Sequence, residues 1–436
     1  MKNNMTTGSD IEGTSNKRLV PKLRFPEFRN DGGWKEVILG EAFERISEKN
    51  VNNNRNVLTI SAQYGLVSQY DYFNKNVAAE NIRNYYFIHK GDFVYNKSRS
   101  QGYPFGVIKP MRRYESGVVS TLYICFRAKT NCCIDFYEQY FDTDLINNEL
   151  SKIAQEGARN HGLLNMSVDD FFNKIKLLVP HSSEREKVAG CLLSIDEEIS
   201  ALKEKVEQLK AHKKGLIQKL FPVAGKFVPE LRFPEFEKDW DVDSMQSIFD
   251  MKNGYTPSKS NPIYWDNGTI PWFRMEDIRK NGHILSDSIQ HVTQQAVKNS
   301  GLFPAYSIIV ATTATIGEHA LIIVDSLANQ QFTFLTKRKS FKDKINMIYF
   351  HHYMFIIDEW CKNNTNSGGL VSVNMPAFKQ LLIPFPCPAE QKKIAECLSS
   401  IDELISLYEN KVTLLEQHKK GLMQQLFPKP TKLLIN

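Results

Sequence analysis

The 436-residue chain contains no run of about eighteen apolar residues, so no membrane-spanning helix is expected. Its first sixteen residues lack the apolar stretch of a secretory signal. Residues 1–18 read as a disordered tail and 429–436 as a short C-terminal tail. Cysteine is scarce and odd in number: seven, with no C-x-x-C pair, which argues against a disulfide framework or a zinc site. The expected setting is a reducing cytoplasm. No G-x-x-x-x-G-K-[ST] loop, H-E-x-x-H or G-x-S-x-G occurs, which excludes those routes to ATP binding, zinc proteolysis and serine hydrolysis. No metal site and no catalytic residue are expected in this chain. Neither charge sign dominates: 55 Lys and Arg face 49 Asp and Glu, a net charge of +6. That balance permits a nucleic-acid partner without specifying one.

What the chain does have is itself twice. Pro21-Lys22-Leu23-Arg24-Phe25-Pro26-Glu27-Phe28 returns as Pro229-Glu230-Leu231-Arg232-Phe233-Pro234-Glu235-Phe236. Trp34 is matched by Trp240, and Asn165-Met166 by Asn374-Met375. Ser194-Ile195-Asp196-Glu197 returns as Ser400-Ile401-Asp402-Glu403, His212-Lys213-Lys214-Gly215-Leu216 as His418-Lys419-Lys420-Gly421-Leu422, and Leu220-Phe221-Pro222 as Leu426-Phe427-Pro428. Between these blocks, residues about 45–160 and 250–370 diverge. A conserved frame with two different fillings suits two binding domains that read different targets.

Around the Ser-Ile-Asp-Glu blocks, apolar residues alternate at spacings of four and three. The first stripe runs through Val188, Leu192, Ile195, Ile199, Leu202, Val206 and Leu209; the second runs through Ile394, Leu398, Ile401, Ile405, Tyr408, Val412 and Leu415. Lys213 and Lys419 interrupt both at the same place, and a polar seam residue can fix register. The matched stripes predict two long helices, 183–222 and 388–428, paired antiparallel within the chain, each stopped by Phe-Pro. The alternative is that each helix packs on its own domain. About 37 residues at ~1.5 Å rise make a helix of roughly 55 Å.

The regions 19–182 and 223–387 read as mixed α/β (α+β) domains, with strands at Val57–Ser61, Phe93–Tyr95, Val118–Phe126, Ser307–Ala311 and Ala320–Val324. Their polar and basic loops supply the candidate DNA-binding residues: Lys97, Ser98, Arg99 and Gln101, with Arg159, Asn160 and His161, in the first domain. In the second they are Thr256, Ser258 and Lys259, Trp272 and Arg274, Thr312 and Thr313, and Gln330 and Gln331. Arg, Lys, Asn and Gln pair with base edges, while Ser and Thr suit phosphates. Each residue taken singly could equally be a solvated loop position. Asn261-Pro262-Ile263-Tyr264 approaches the Asn-Pro-Pro-Tyr motif of adenine-N6 methyltransferases, but it lacks the second proline, and no glycine-rich cofactor loop is evident in this half.

The doubled Leu-Arg-Phe-Pro-Glu-Phe, the doubled Ile-Asp-Glu helix ending His-Lys-Lys-Gly-Leu, Thr256-Pro257-Ser258 followed by Ile270-Pro271-Trp272, and Ile60-Ser61-Ala62-Gln63 carry a resemblance over nearly the whole chain. It resembles the specificity subunit of type I restriction-modification systems. The resemblance implies two target recognition domains, each reading one half of a bipartite, asymmetric double-stranded DNA site. The helices would set the spacer and dock two methylation subunits, and restriction subunits would join them. No cofactor is implied for this chain; S-adenosylmethionine, ATP and Mg2+ would enter through the other subunits. Two other classes remain open here: a scaffold joining two protein-binding domains, and a DNA-modifying enzyme acting alone.

Overall fold

The computed structural model describes residues 19–62, 64–73, 82–100, 102–129, 132–156, 162–223, 225–366 and 371–428. The tails expected at 1–18 and 429–436 lie outside these residues. Two helices dominate, Ser182–Leu220 and Pro388–Leu426, each of 39 residues. The chain divides into two units: Met1–Ala201 with Lys411–Asn436, and Leu202–Asn410. Each unit therefore holds one domain, part of the first long helix and part of the second.

In the first unit, strands β1 (Lys35–Ile38), β2 (Phe43–Ile46), β3 (Phe93–Asn96), β4 (Val107–Pro110), β5 (Ile124–Ala128) and β6 (Lys176–Val179) form two antiparallel sheets. One has the order β2-β5-β3-β4, and the other pairs β1 with β6. Alternate residues of the four-stranded sheet bury aromatic rings: Phe43, Phe93 and Phe126 meet Phe141 at the end of helix α1 (Ile134–Phe141). A fully buried phenylalanine contributes about 1.5–3 kcal/mol. The single strand expected over Val118–Phe126 is in fact two, Ser116–Val119 and Ile124–Ala128, which pair in different sheets. Ser120 breaks it: its carbonyl accepts from the Tyr123 amide at 3.1 Å and its hydroxyl from the Leu122 amide at 3.3 Å, closing a turn.

The second unit has β7 (Asp241–Ser244), β8 (Phe249–Asn253), β9 (Ile270–Phe273), β10 (Ile284–Leu285), β11 (His291–Val292), β12 (Ser307–Ala311), β13 (His319–Ile322), β14 (Leu327–Ala328), β15 (Phe332–Lys337) and β16 (Leu382–Phe385). A five-stranded sheet has the order β8-β15-β12-β13-β10, and a three-stranded one β11-β9-β14. β7 pairs with β16 as β1 pairs with β6. Helix α2 (Met347–Asn363), capped by Asn346, lies on β12 and β13.

The repeated motifs form the same joint twice. In the first unit, Arg24 grips Glu184 with two hydrogen bonds of 2.8 and 2.7 Å, and both side chains are buried. Leu23 N–H donates to the Gln425 carbonyl at 2.9 Å. In the second, Arg232 grips Glu390 with two bonds of 2.8 Å, and Leu231 N–H donates to the Lys219 carbonyl at 2.9 Å. Each Leu-Arg-Phe-Pro-Glu-Phe segment thus ties the start of one long helix to the end of the other. The carboxylates sit in the first helical turn, where the helix dipole favours them. Phe427 packs on Trp34 and Phe136 in the first core, and Phe221 stacks on Tyr353 in the second.

Within each unit the helical segments run antiparallel. In the second, Lys210 bonds Glu409 and Lys213 bonds Asp402, so rising numbers on one helix meet falling numbers on the other. In the first, Lys411 meets Glu198 and Lys419 meets Asp196. The seam residues Leu192, Ile199, Val206, Leu398, Ile401, Ile405 and Val412 are buried, and Ile195, Leu202, Leu209 and Leu415 half-buried. The lysines that interrupt the stripes are paired: Lys213 Nζ lies 2.6 Å from both oxygens of Asp402, and Lys419 Nζ 2.7 Å from both oxygens of Asp196.

Candidate nucleic-acid interface

In the second unit, three loops gather at one end of the five-stranded sheet, and a fourth joins them from β9 of the three-stranded sheet. Register places Asn253 beside Thr333 and Ala311 beside Phe332, so the segments that follow β8 and β12 and precede β15 share that end. Tyr255 N–H donates to the Ala328 carbonyl at 2.8 Å, and Thr312 N–H to the Gln331 carbonyl at 3.0 Å. Asn329 N–H donates to the Phe273 carbonyl at 3.0 Å, which brings in the end of β9 and with it Arg274. Gly254 is required: a Cβ there would stand 2.3 Å from the Ala328 oxygen and 2.4 Å from that of Asn329. Ala314, at the tip of the β12–β13 turn, takes a left-handed φ of 63°.

The side chains sort by depth. Ser258, Lys259 and Gln330 are exposed; Thr256, Arg274, Thr313 and Gln331 are half-buried. Thr256 Oγ1 donates to Gln330 Oε1 at 2.5 Å, and Ser258 shares a hydrogen bond with Ser260. Arg274 bonds Glu276 at 3.0 Å, with its guanidinium over the Trp272 ring. Lys298 Nζ sits 4.2 Å above the Tyr255 ring, a cation on the same rim that the sequence reading missed. Two expectations are corrected. Trp272 is 1% exposed: its ring meets Trp265 edge-on and its indole N–H donates to the Tyr255 carbonyl, so it anchors the loops and cannot present a face to DNA. Thr312 is also buried, its hydroxyl sharing a hydrogen bond with Thr333. A large aromatic beside an arginine, or a threonine just past a strand, reads alike in sequence whether it faces in or out.

The first unit has a smaller counterpart. β3 runs on through Lys97, Ser98 and Arg99. Leu164 N–H donates to the Lys97 carbonyl at 3.0 Å, Ser98 bridges to Leu163, and Arg99 N–H donates to the Gly162 carbonyl at 2.8 Å. The loop folds back at Gly106, where a Cβ would lie 2.1 Å from the Asn96 oxygen, and Tyr95 Oη ties its base to the Phe105 carbonyl at 2.6 Å. Lys97 and Ser98 are half-buried and Arg99 exposed; partial burial pulls the Lys97 amine below its ordinary range. Gln101, Arg159, Asn160 and His161 lie outside the described residues. Among the described residues of both units, no group of three or more His, Cys, Asp or Glu could hold a metal ion, and no helix is long and apolar enough to cross a membrane.

Each unit thus offers polar and basic side chains on loops held at a sheet end by backbone hydrogen bonds. The loops are rigid at their bases and carry donors at their tips. That is the chemistry of phosphate and base-edge contact.

Residues 237–417 match the type I restriction modification DNA specificity domain family. Over 164 residues the chain is 46% identical to the type I restriction enzyme EcoprrI specificity subunit of Escherichia coli, covering 38% of this chain and 41% of that protein. Over 213 residues it is 30% identical to the MjaIX specificity subunit of Methanocaldococcus jannaschii, covering 46% and 48%. The chain spans less than half the length of these relatives in the matched regions. In fold it is similar to the crystal structure of a type I restriction-modification S subunit from M. genitalium, with a TM-score of 0.56, 13% identity and coverage of 94% of this chain and 100% of that one. A chain from a study of type I system assembly and conformational transition gives a TM-score of 0.54, 16% identity and coverage of 90% and 96%.

Proposed function

We propose that the chain is a specificity subunit of a type I restriction-modification system and that it reads a bipartite DNA site, one half with each unit; the match of residues 237–417 to the DNA specificity domain and the 46% identity to a specificity subunit over 164 residues support this. The convergence of four polar loops on one sheet end of the second unit, inside a duplicated frame, carries this reading most directly. Loop cations hold phosphates in a sequence-blind, salt-sensitive way. A few amides and guanidinium groups read base edges, each good bidentate contact being worth about 1–3 kcal/mol of discrimination. Joining two readers in one chain raises the effective concentration of the second once the first has bound. The paired helices fix the spacer between half-sites and present two equivalent faces to two methylation subunits. Restriction subunits complete the complex.

Catalysis, with S-adenosylmethionine, ATP and Mg2+, belongs in this reading to those other subunits. The chain selects which adenine is flipped and methylated. A mobility-shift titration of the chain with and without its methylation subunit tests the proposal. A sequence-specific shift that needs the chain is expected. A complex whose DNA binding is the same without this chain would contradict it, and methyl transfer by the chain alone would refute the non-catalytic assignment.

A further inference from the structure

In the second unit, the loop between β14 and β15 contains a hydrogen-bond relay that fixes the orientation of a side-chain amide. Gln331 N–H donates to Asn329 Oδ1 at 3.1 Å. A backbone N–H can only donate, so the oxygen end of the Asn329 amide is determined. Asn329 Nδ2 then faces Gln331 and donates to its Oε1 at 3.1 Å. Turning the Gln331 amide over would set two N–H donors against each other. Its NH2 group therefore points away from Asn329, and among the described residues it has no hydrogen-bond partner. The backbone is held as firmly: the Gln331 carbonyl accepts from Thr312, the Asn329 carbonyl from Phe332 at 3.2 Å, and the Asn329 N–H reaches β9.

We infer that Gln331 is a specificity-determining residue that selects a keto-bearing base, guanine or thymine, with Asn329 as its positioning residue. This rests on the reading of the loop cluster as a DNA interface. In the major groove guanine offers the adjacent O6 and N7 acceptors and thymine the O4 acceptor, whereas cytosine shows only an amino donor and adenine sets its amino donor beside a single N7 acceptor, so a donor-only group is best matched by the keto bases. A glutamine that reads adenine uses its oxygen and its NH2 together. Here the oxygen is engaged by Asn329, and the outward group is a donor only. An amide held in place also loses less rotamer entropy on binding than a free one.

Two isosteric variants test this in the full-length chain complexed with its methylation subunits. Gln331→Glu replaces the outward donor with an acceptor. Asn329→Asp makes the Gln331 amide turn its NH2 inward and its oxygen outward, without changing the residue that meets the base. Bound sequences are selected from a randomised half-site pool. Both variants are expected to move the preference at one and the same position from guanine or thymine towards adenine or cytosine, by roughly 5- to 150-fold, with all other positions unchanged. A uniform loss over all bases would make Gln331 a phosphate contact and overturn the inference, as would an unchanged preference in a variant that binds. If either variant fails to fold, the other still decides. Absence of sequence selection by the native complex would instead defeat the DNA-reading function itself.

Discussion

At the residue scale, the buried polar groups carry the sharpest consequences. Removing one member of a buried ion pair strands the other, at about 3–5 kcal/mol. Arg24→Met and Glu390→Gln should each lower stability by about that amount in denaturant titrations, whereas truncating the exposed pair Lys90–Glu115 should change it by less than about 1 kcal/mol. The second unit also buries His319, His351 and His352 together, beside the half-buried His283 and against Phe355, with Lys213 and Lys362 as the nearby cations. Burial pushes His319 and His352 down to about 3 and His351 well below its ordinary 6.5. These rings are neutral when folded, and the unfolded chain takes up the protons first. Their contribution is complete above about pH 6.5 and is lost as the pH falls from there towards 3, on the order of 2 kcal/mol per ring at about pH 5. His89, His181 and His418 in the first unit are exposed. Hydrogen exchange at about pH 5 should therefore show protection falling in the second unit before the first; equal loss in both would contradict this.

At the scale of elements, the helices were legible and the loops only in part. A 4-3 apolar spacing maps directly onto a helical seam, and the stripes expected at 183–222 and 388–428 appear as Ser182–Leu220 and Pro388–Leu426. The two lysine interruptions were visible in sequence, but their partners were not. Asp196 and Asp402 lie seventeen residues from the lysines of their own helices and meet those of the other helix only after antiparallel pairing. Depth was the other missing quantity. Trp272 and Thr312 stand where strands meet polar loops, yet hydrogen bonds to neighbouring loops hold both inside. At half-buried sites the Lys–Asp pairs should contribute about 1–2 kcal/mol each. Lys213→Asp should weaken the second unit by at least that much, through like-charge contact with Asp402. Adding Asp402→Lys should restore most of it. Double reversal that gives no recovery in a thermal melt would show that the pair does not set register.

At the scale of the molecule, the duplication has a mechanical meaning that sequence alone left open. The motif copied at Leu23–Phe28 and Leu231–Phe236 joins the start of one long helix to the end of the other, and the Leu-Phe-Pro ends finish the cores. Conservation of the frame and divergence of the filling then follow: the joint must close in both units, and the loops need not match. If the helices set the spacer, inserting four residues after Glu207, about one turn or ~6 Å, should lengthen the preferred spacer or abolish modification; an unchanged spacer with full activity would refute the ruler. The most direct measurement exchanges residues 45–160 for those of a relative and maps methylated adenines across the genome of a host expressing the hybrid with its methylation subunit. Reading by separate units requires one half of the modified sequence to change while the other half and the spacer stay fixed. Altered bases in both halves would contradict it.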